Sequence, residues 1–291
     1  MKAYLFAFGS IFLWASTAAV IKLLLTGLDS LQILFYASLF AFPFLFLVAF
    51  FQKRLGQIRE YKTNDYVWFA GMGFVGVFVY YLGLYLALSF LSAQEAFIIN
   101  YLWPVFIVIF AIPLLKESMT FRKTLAILLS FFGVVIVATN GNVGSIELQS
   151  PLGVFLAILA AASYGLFSVL GKKREYDRFI SMAFYYLFTF LYSLIALLVI
   201  GTIPTISLLQ IAGLLWVGIG TSGLAFAFWF LALKYGDTAK ISNLAFLTPF
   251  LSLVYIYFLL NEPILISSLI GLVLIMSGIL IQNFKRPLKR A

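Results

Sequence analysis

Cysteine and histidine are both missing from this chain of 291 residues. Their absence excludes disulfides, thiolate chemistry, imidazole metal sites and histidine proton relays. Charge is scarce as well: 10% of residues are charged and 64% are hydrophobic, against roughly 25% and roughly 45–50% in soluble domains. A soluble globule of this length could not cover so much apolar surface, so the expected solvent is lipid. An intramembrane enzyme would need a nucleophile, metal ligands or an acid–base pair, and the long apolar runs supply none. No catalytic residue, metal or cofactor is therefore expected. The net charge of +9 does not point to nucleic acid, because the basic residues stand in short gaps between apolar runs, where they set membrane orientation. Lys2 ahead of an apolar run imitates a signal peptide, but the run is long and contains Trp14 and Lys22.

What is present is a series of apolar segments of lipid-crossing length. They fall near 4–25, 31–51, 66–89, 94–115, 121–139, 151–171, 179–201, 207–233, 238–260 and 264–283. Backbone groups in lipid need internal partners, so these runs read as ten helices of an all-α membrane protein. With the N-terminus cytoplasmic, 18 of the 19 basic residues fall on the cytoplasmic side, and Lys22 alone lies near an outer end. The sequence thus predicts an integral protein of the cell (cytoplasmic or inner) membrane with both termini inside. Its partners are the lipid bilayer and a small-molecule substrate; oligomeric state is left open, a monomer being compatible.

A fixed-offset repeat runs through the segments. Pro104 and Pro249 stand 145 residues apart, and the same offset carries Gly73 onto Gly218, Leu88 onto Leu233, Glu117 onto Glu262 and Gly133 onto Gly278. An offset of 150 carries Trp14 onto Tyr164 and Lys22 onto Lys172, the difference being taken up by the long gap at 52–65. Five helices per copy is an odd number, so the second copy enters the membrane inverted, as in transporters that build two alternating faces around one site. The expected units are 1–139 and 151–283, joined by a linker at 140–150 and followed by a basic cytoplasmic tail at 284–291.

Ten helices in two inverted five-helix repeats, with proline centred in the fourth and ninth, resemble the EamA branch of the drug/metabolite transporter superfamily over nearly the whole chain. The run Asn100-Tyr101-Leu102-Trp103-Pro104 is similar to the helix-4 signature of YddG-type exporters of aromatic amino acids. The resemblance implies a central cavity walled by both halves and reached from one side at a time.

The candidate substrate contacts are mainly aromatic. Tyr81 and Tyr85 in the third segment are spaced i, i+4 and share a face; the repeat places Phe226 and Phe230 at the equivalent points of the eighth. The fourth segment adds Asn100, Tyr101 and Trp103, the ninth Asn243 and Phe246, and the first and sixth Trp14 and Tyr164. These residues read as an aromatic cavity whose hydroxyls and amides fix the polar end of an apolar solute. The competing reading is an interfacial belt for Tyr and Trp, and interhelical hydrogen bonding for Asn243. Pro104 and Pro249 should bend their helices, as hinges beside the site or as fixed kinks. Lys22 is expected to snorkel outward, Glu95 to cap a helix start, and Glu117 and Glu262 to close helices at opposite surfaces. Gly71-x-Gly73-x-x-Gly76 and Gly218-x-Gly220-x-x-Gly223 lie inside lipid-length helices, so close helix packing explains them better than nucleotide binding.

These features favour a carrier over an enzyme or a structural or sensory protein. The expected function is an alternating-access secondary transporter, most simply an exporter of aromatic and other hydrophobic amino acids. The rival is a carrier of nucleotide sugars, sugar phosphates or other anionic metabolites. That rival needs cations in the cavity, where only Lys22 and Lys240 are at hand. Aromatic faces instead suit apolar, zwitterionic or weakly cationic solutes.

Overall fold

The structure is a computed structural model that describes residues 2–142, 150–237, 240–241 and 244–283. Asn243, the tail at 284–291 and residues 143–149 of the expected linker lie outside the described residues. Among the described residues, eight helices are long and apolar enough to cross a membrane. They are α1 (Lys2–Leu24), α2 (Ser30–Phe51), α3 (Thr63–Phe90), α4 (Ala93–Leu115), α5 (Phe121–Ala138), α6 (Pro151–Lys173), α7 (Arg178–Ile200) and α8 (Leu208–Tyr235). Two shorter apolar helices follow, α9 (Ala245–Leu260) and α10 (Ile266–Ile281). No strand occurs among the described residues.

Large apolar side chains point outward on many helices; Phe51, Phe121, Ile200 and Leu208 are all more than three-quarters exposed. Soluble monomers rarely leave so much apolar surface uncovered, and a bilayer covers it. Within the interior, small residues and short hydroxyls recur among larger apolar side chains, among them Ala7, Ser10, Ala15, Ser38, Ala160 and Ser193, and let helix backbones approach closely. The protein is an integral membrane protein.

Helix starts follow from local chemistry. Asp29 and Ser92 each form a capping box, with Gln32 and Glu95 respectively. Asp177 accepts from the backbone N–H groups of Phe179 and Ile180 and also pairs with Arg54. That pair ties the gap before α3 to the start of α7 at the end of the bundle holding the N-terminus. At the opposite end, Gln32 donates to the Thr202 carbonyl at 3.0 Å.

α2 packs along α7 and α5 along α10, while α1 lies against α8 and α9, and α6 against α3 and α4. Glycine sets the closest approaches. A Cβ on Gly73 would stand 2.7 Å from the Tyr185 carbonyl oxygen of α7, and one on Gly218 would stand 2.6 Å from the Ala37 carbonyl oxygen of α2.

Three departures from uniform helix shape the centre. In α3 the turn Phe74–Val79 is a π-helix, and in α8 the same occurs over Trp216–Leu224. Such wide turns loosen the carbonyl ladder, and neighbouring side chains supply donors: Ser163 to the Val75 carbonyl and Trp14 Nε1 to the Thr221 carbonyl at 3.2 Å.

The third departure concerns the prolines. Pro104 and Pro249 do not bend continuous helices as expected. α4 stops at Asn100, turns through Tyr101 and Leu102, and restarts at Trp103 with Pro104 in the new first turn. α9 opens with a 3₁₀ turn, Ala245–Leu247, and becomes α-helical at Thr248 with Pro249 in its first turn. The missing proline N–H is harmless in a first turn and costly further in, so the chain breaks where the sequence alone suggested a kink.

Candidate functional site

The breaks and wide turns converge on a cavity of about 370 Å³ in the middle of the bundle. One wall comes from α3, α4 and α6. Tyr80 and Tyr164 pack with ring centres 4.8 Å apart, and Trp103 meets Tyr164 edge-on at 5.3 Å. The facing wall comes from α1 and α8, where Trp14 meets Phe226 edge-on at 5.3 Å and Trp229 at 5.4 Å. The Trp14 bond to the Thr221 carbonyl holds its ring in place, so this wall is set before any solute arrives.

Polarity is confined to a few atoms. Asn100 donates from Nδ2 to the Tyr80 hydroxyl at 3.2 Å, and Tyr186 donates to the Tyr81 hydroxyl at 3.4 Å. Asn100 is 4% exposed, and its Oδ1 has no hydrogen-bond partner. Thr17 and Thr248 add hydroxyl groups to the lining, and none of the described lining residues carries a charge. A second cavity of about 380 Å³ shares Tyr101, Trp103, Trp229 and Ala245 with the first. It passes Pro104, Ile107 and Val108 of α4 and Met276 and Ile279 of α10, and so leads from the break towards the N-terminal end of the bundle.

Of the residues singled out from sequence, Trp14, Tyr81, Asn100, Tyr101, Trp103, Tyr164, Phe226 and Phe230 line the central cavity. Phe246 and Pro104 line the adjoining one. Pro249 is buried next to Thr248. Tyr85 is a correction: at 1% exposure it is locked in the core with Leu84 and Leu88. It lies one turn beyond Tyr81 and is covered by the core, although its neighbour Leu84 reaches the cavity lining. The candidates from sequence did not include Tyr80, Thr17, Leu84, Phe97, Trp229, Ala245 or Thr248, which also line the central cavity. The repeat offset contained two of them, since it maps Trp103 onto Thr248 and Leu84 onto Trp229.

At the end of the bundle away from the N-terminus, the first part of α4, Ala93–Asn100, is buried except for Phe97. It packs against α1, α3, α5, α6, α9 and α10, which closes that end. The Ala93 N–H donates to both Glu262 carboxylate oxygens at 3.2 and 3.1 Å. Gln94 donates to the Pro263 carbonyl at 2.9 Å and accepts from the Leu265 N–H at 3.2 Å. Lys22 does not snorkel away from the protein: its Nζ donates to the carbonyls of Leu88 and of Leu91, the latter at 2.7 Å. Those carbonyls end α3, and the ammonium satisfies orphan acceptors there. Glu95 caps its own helix start through Ser92, as expected. At the N-terminal end, Glu117 bonds Lys123 of its own turn at 3.0 Å and is largely exposed. Among the described residues, no bond joins Glu117 to α9.

Comparison with known proteins agrees with this architecture. A solved crystal structure superposes with a TM-score of 0.68 at 21% identity, covering 97% of this chain and 96% of its own. An uncharacterized transporter of Archaeoglobus fulgidus is 24% identical over 98% of both chains. The uncharacterized transporter YoaV of Bacillus subtilis is 24% identical over 82% of both chains. The aromatic amino acid exporter YddG of Ancylobacter novellus is 28% identical over 64% of both chains. These names are those of transporters and not of enzymes. The EamA-like transporter family matches residues 1–139 and 151–284, and with nearly its whole length matched the chain belongs to that family.

Proposed function

We propose that the protein is an alternating-access secondary carrier that exports small amphipathic metabolites, aromatic and other hydrophobic amino acids foremost. The observation that carries this reading is the two-faced cavity. The offset of 145 pairs Tyr80, Tyr81 and Asn100 with Ala225, Phe226 and Ala245. The hydroxyls and amide of Tyr80, Tyr81 and Asn100 therefore gather on the α3–α4 side and face a mainly aromatic wall of Trp14, Phe226 and Trp229, which suits a solute with a polar head and a ring. The A. novellus relative named as an aromatic amino acid exporter supports the same class. Lys22, the cation an anionic solute would need, is engaged with Leu88 and Leu91 away from the cavity.

Alternating access rests on two inverted five-helix repeats spanning 1–139 and 151–283, with ten crossings in all. Exchanging α1–α5 with α6–α10 turns each main helix pairing into another of the set, α1 with α8 becoming α6 with α3. The family match itself falls in two stretches. The breaks at Pro104 and Pro249 then serve as hinges of the two half-helices that close opposite ends. Both termini are cytoplasmic in this reading. An impermeant thiol reagent outside intact cells is expected to label Asn142→Cys and spare Gln57→Cys in this cysteine-free chain; the reverse labelling refutes the orientation.

The substrate reading is tested by counterflow in proteoliposomes. Phe, Tyr and Trp are expected to exchange faster than small aliphatic amino acids. Trp103→Ala removes an edge-on aromatic contact of about 0.5–1.5 kcal/mol, a roughly 2–12-fold change in affinity. The loss should fall on aromatic substrates selectively. Wild-type exchange of all amino acids by folded Trp103→Ala protein refutes the role, and so does an equal loss for all of them.

A further inference from the structure

We infer that the cavity recognises its solute by an ammonium or amine group, seated at Asn100 Oδ1 beside the break in α4, and that carboxylic acids without an amine are rejected. This deepens the proposed transport of amphipathic solutes and rests on it. Asn100 is more than nine-tenths buried, lines the cavity, and holds one acceptor atom with no partner. One N–H of its amide nitrogen bonds the Tyr80 hydroxyl. A buried acceptor left unsatisfied is unfavourable, and a solute that donates a hydrogen bond removes that penalty while one that only accepts does not.

The backbone at the break has the same polarity. A helix interrupted at a binding site can offer N–H groups to anions or carbonyls to cations. Here the N–H side is depleted: Pro104 has none, and the N–H groups of Val105 and Phe106 both bond the Leu102 carbonyl, at 2.9 and 3.1 Å. The carbonyl side is enriched, because Pro104 deprives the Asn100 carbonyl of the donor that a continuous helix would give it. The half-helix Ala93–Asn100 ends here with the partial negative charge of its dipole and Trp103–Leu115 begins here with the opposite one, so the carbonyls decide the polarity. The rings of Trp14 and Trp229 also line the cavity, and aromatic rings are favourable ground for a cation. No lysine or arginine among the described lining residues opposes these contributions.

The test uses three congeners with one ring and chain: phenethylamine, phenylalanine and 3-phenylpropionate, titrated calorimetrically into purified full-length protein in nanodiscs. Phenethylamine and phenylalanine are expected to bind, and 3-phenylpropionate to bind at least about tenfold more weakly, the size of one lost charge-assisted hydrogen bond. Asn100→Leu should erase that difference by weakening the two amines and leaving the acid unchanged. Equal affinity for the acid and the amine in the wild-type protein overturns the inference while leaving the carrier reading intact. Failure of all three to bind overturns both the aromatic-solute reading and the inference built on it. The wild-type comparison alone decides the matter if Asn100→Leu does not fold.

Discussion

Leucine in place of Gly218 is expected to leave almost no folded protein in the membrane, and Gly73→Leu to behave the same way. At Gly218 the first added carbon already meets the Ala37 carbonyl oxygen at 2.6 Å and Phe40 Cβ at 2.9 Å; at Gly73 it meets the Tyr185 carbonyl oxygen at 2.7 Å and Tyr185 Cα at 3.1 Å. These are largely backbone atoms of α2 and α7, which no side-chain rotamer change can move. Overpacking a well-packed interior costs about 1–3 kcal/mol and occasionally more, and a leucine wedged against backbone belongs at the upper end. Total stabilities of roughly 5–15 kcal/mol leave little margin for that. Yield of monodisperse protein and its melting temperature are the readouts. Gly71 provides the control, since a Cβ there meets nothing within 4 Å. Gly71→Leu should melt like the wild type although it lies in the same glycine-rich turn. A wild-type melt for Gly218→Leu would show that α8 and α2 do not approach as described.

That contrast shows how far the sequence could be read. Glycine spacing in lipid-length segments identified close packing, but Gly71, Gly73 and Gly76 look alike in sequence and only their neighbours separate them. Depth and residue type placed Trp14, Tyr81, Asn100, Trp103 and Tyr164 together, and all five do line one cavity. Helical periodicity joined Tyr85 to Tyr81, and a shared face was right while a shared environment was not. Tyr85 is covered by the core around Leu88, while Leu84 beside it still reaches the cavity. The wide turns at Phe74–Val79 and Trp216–Leu224 were not legible either, because periodic reading assumes one pitch throughout. Lys22 was misread for a related reason. Its partners, the last carbonyls of α3, are backbone atoms with no signature in sequence.

Removing the Glu262 carboxylate is expected to open the closed end. Glu262 is the partner of the Ala93 N–H, the first free donor of the half-helix that plugs that end. A hydrogen bond to a charged group is worth about 1.5–3 kcal/mol, so Glu262→Ala should shift the balance between closed and open forms by roughly tenfold to a hundredfold. Thr17→Cys, in the cavity wall, reports the shift. An impermeant thiol reagent on the Glu262 side should reach it slowly in otherwise native protein and at least about tenfold faster once Glu262→Ala is added. Glu117→Ala provides the comparison. Its carboxylate pairs with Lys123 at the opposite end of the bundle, a contact worth about 0–1 kcal/mol, so accessibility from the Glu262 side should not rise. If Glu262→Ala leaves Thr17→Cys protected, closure is held by the apolar packing of Ala93–Asn100 alone. If Glu117→Ala exposes it equally, the effect is general loosening and the carboxylate is no latch.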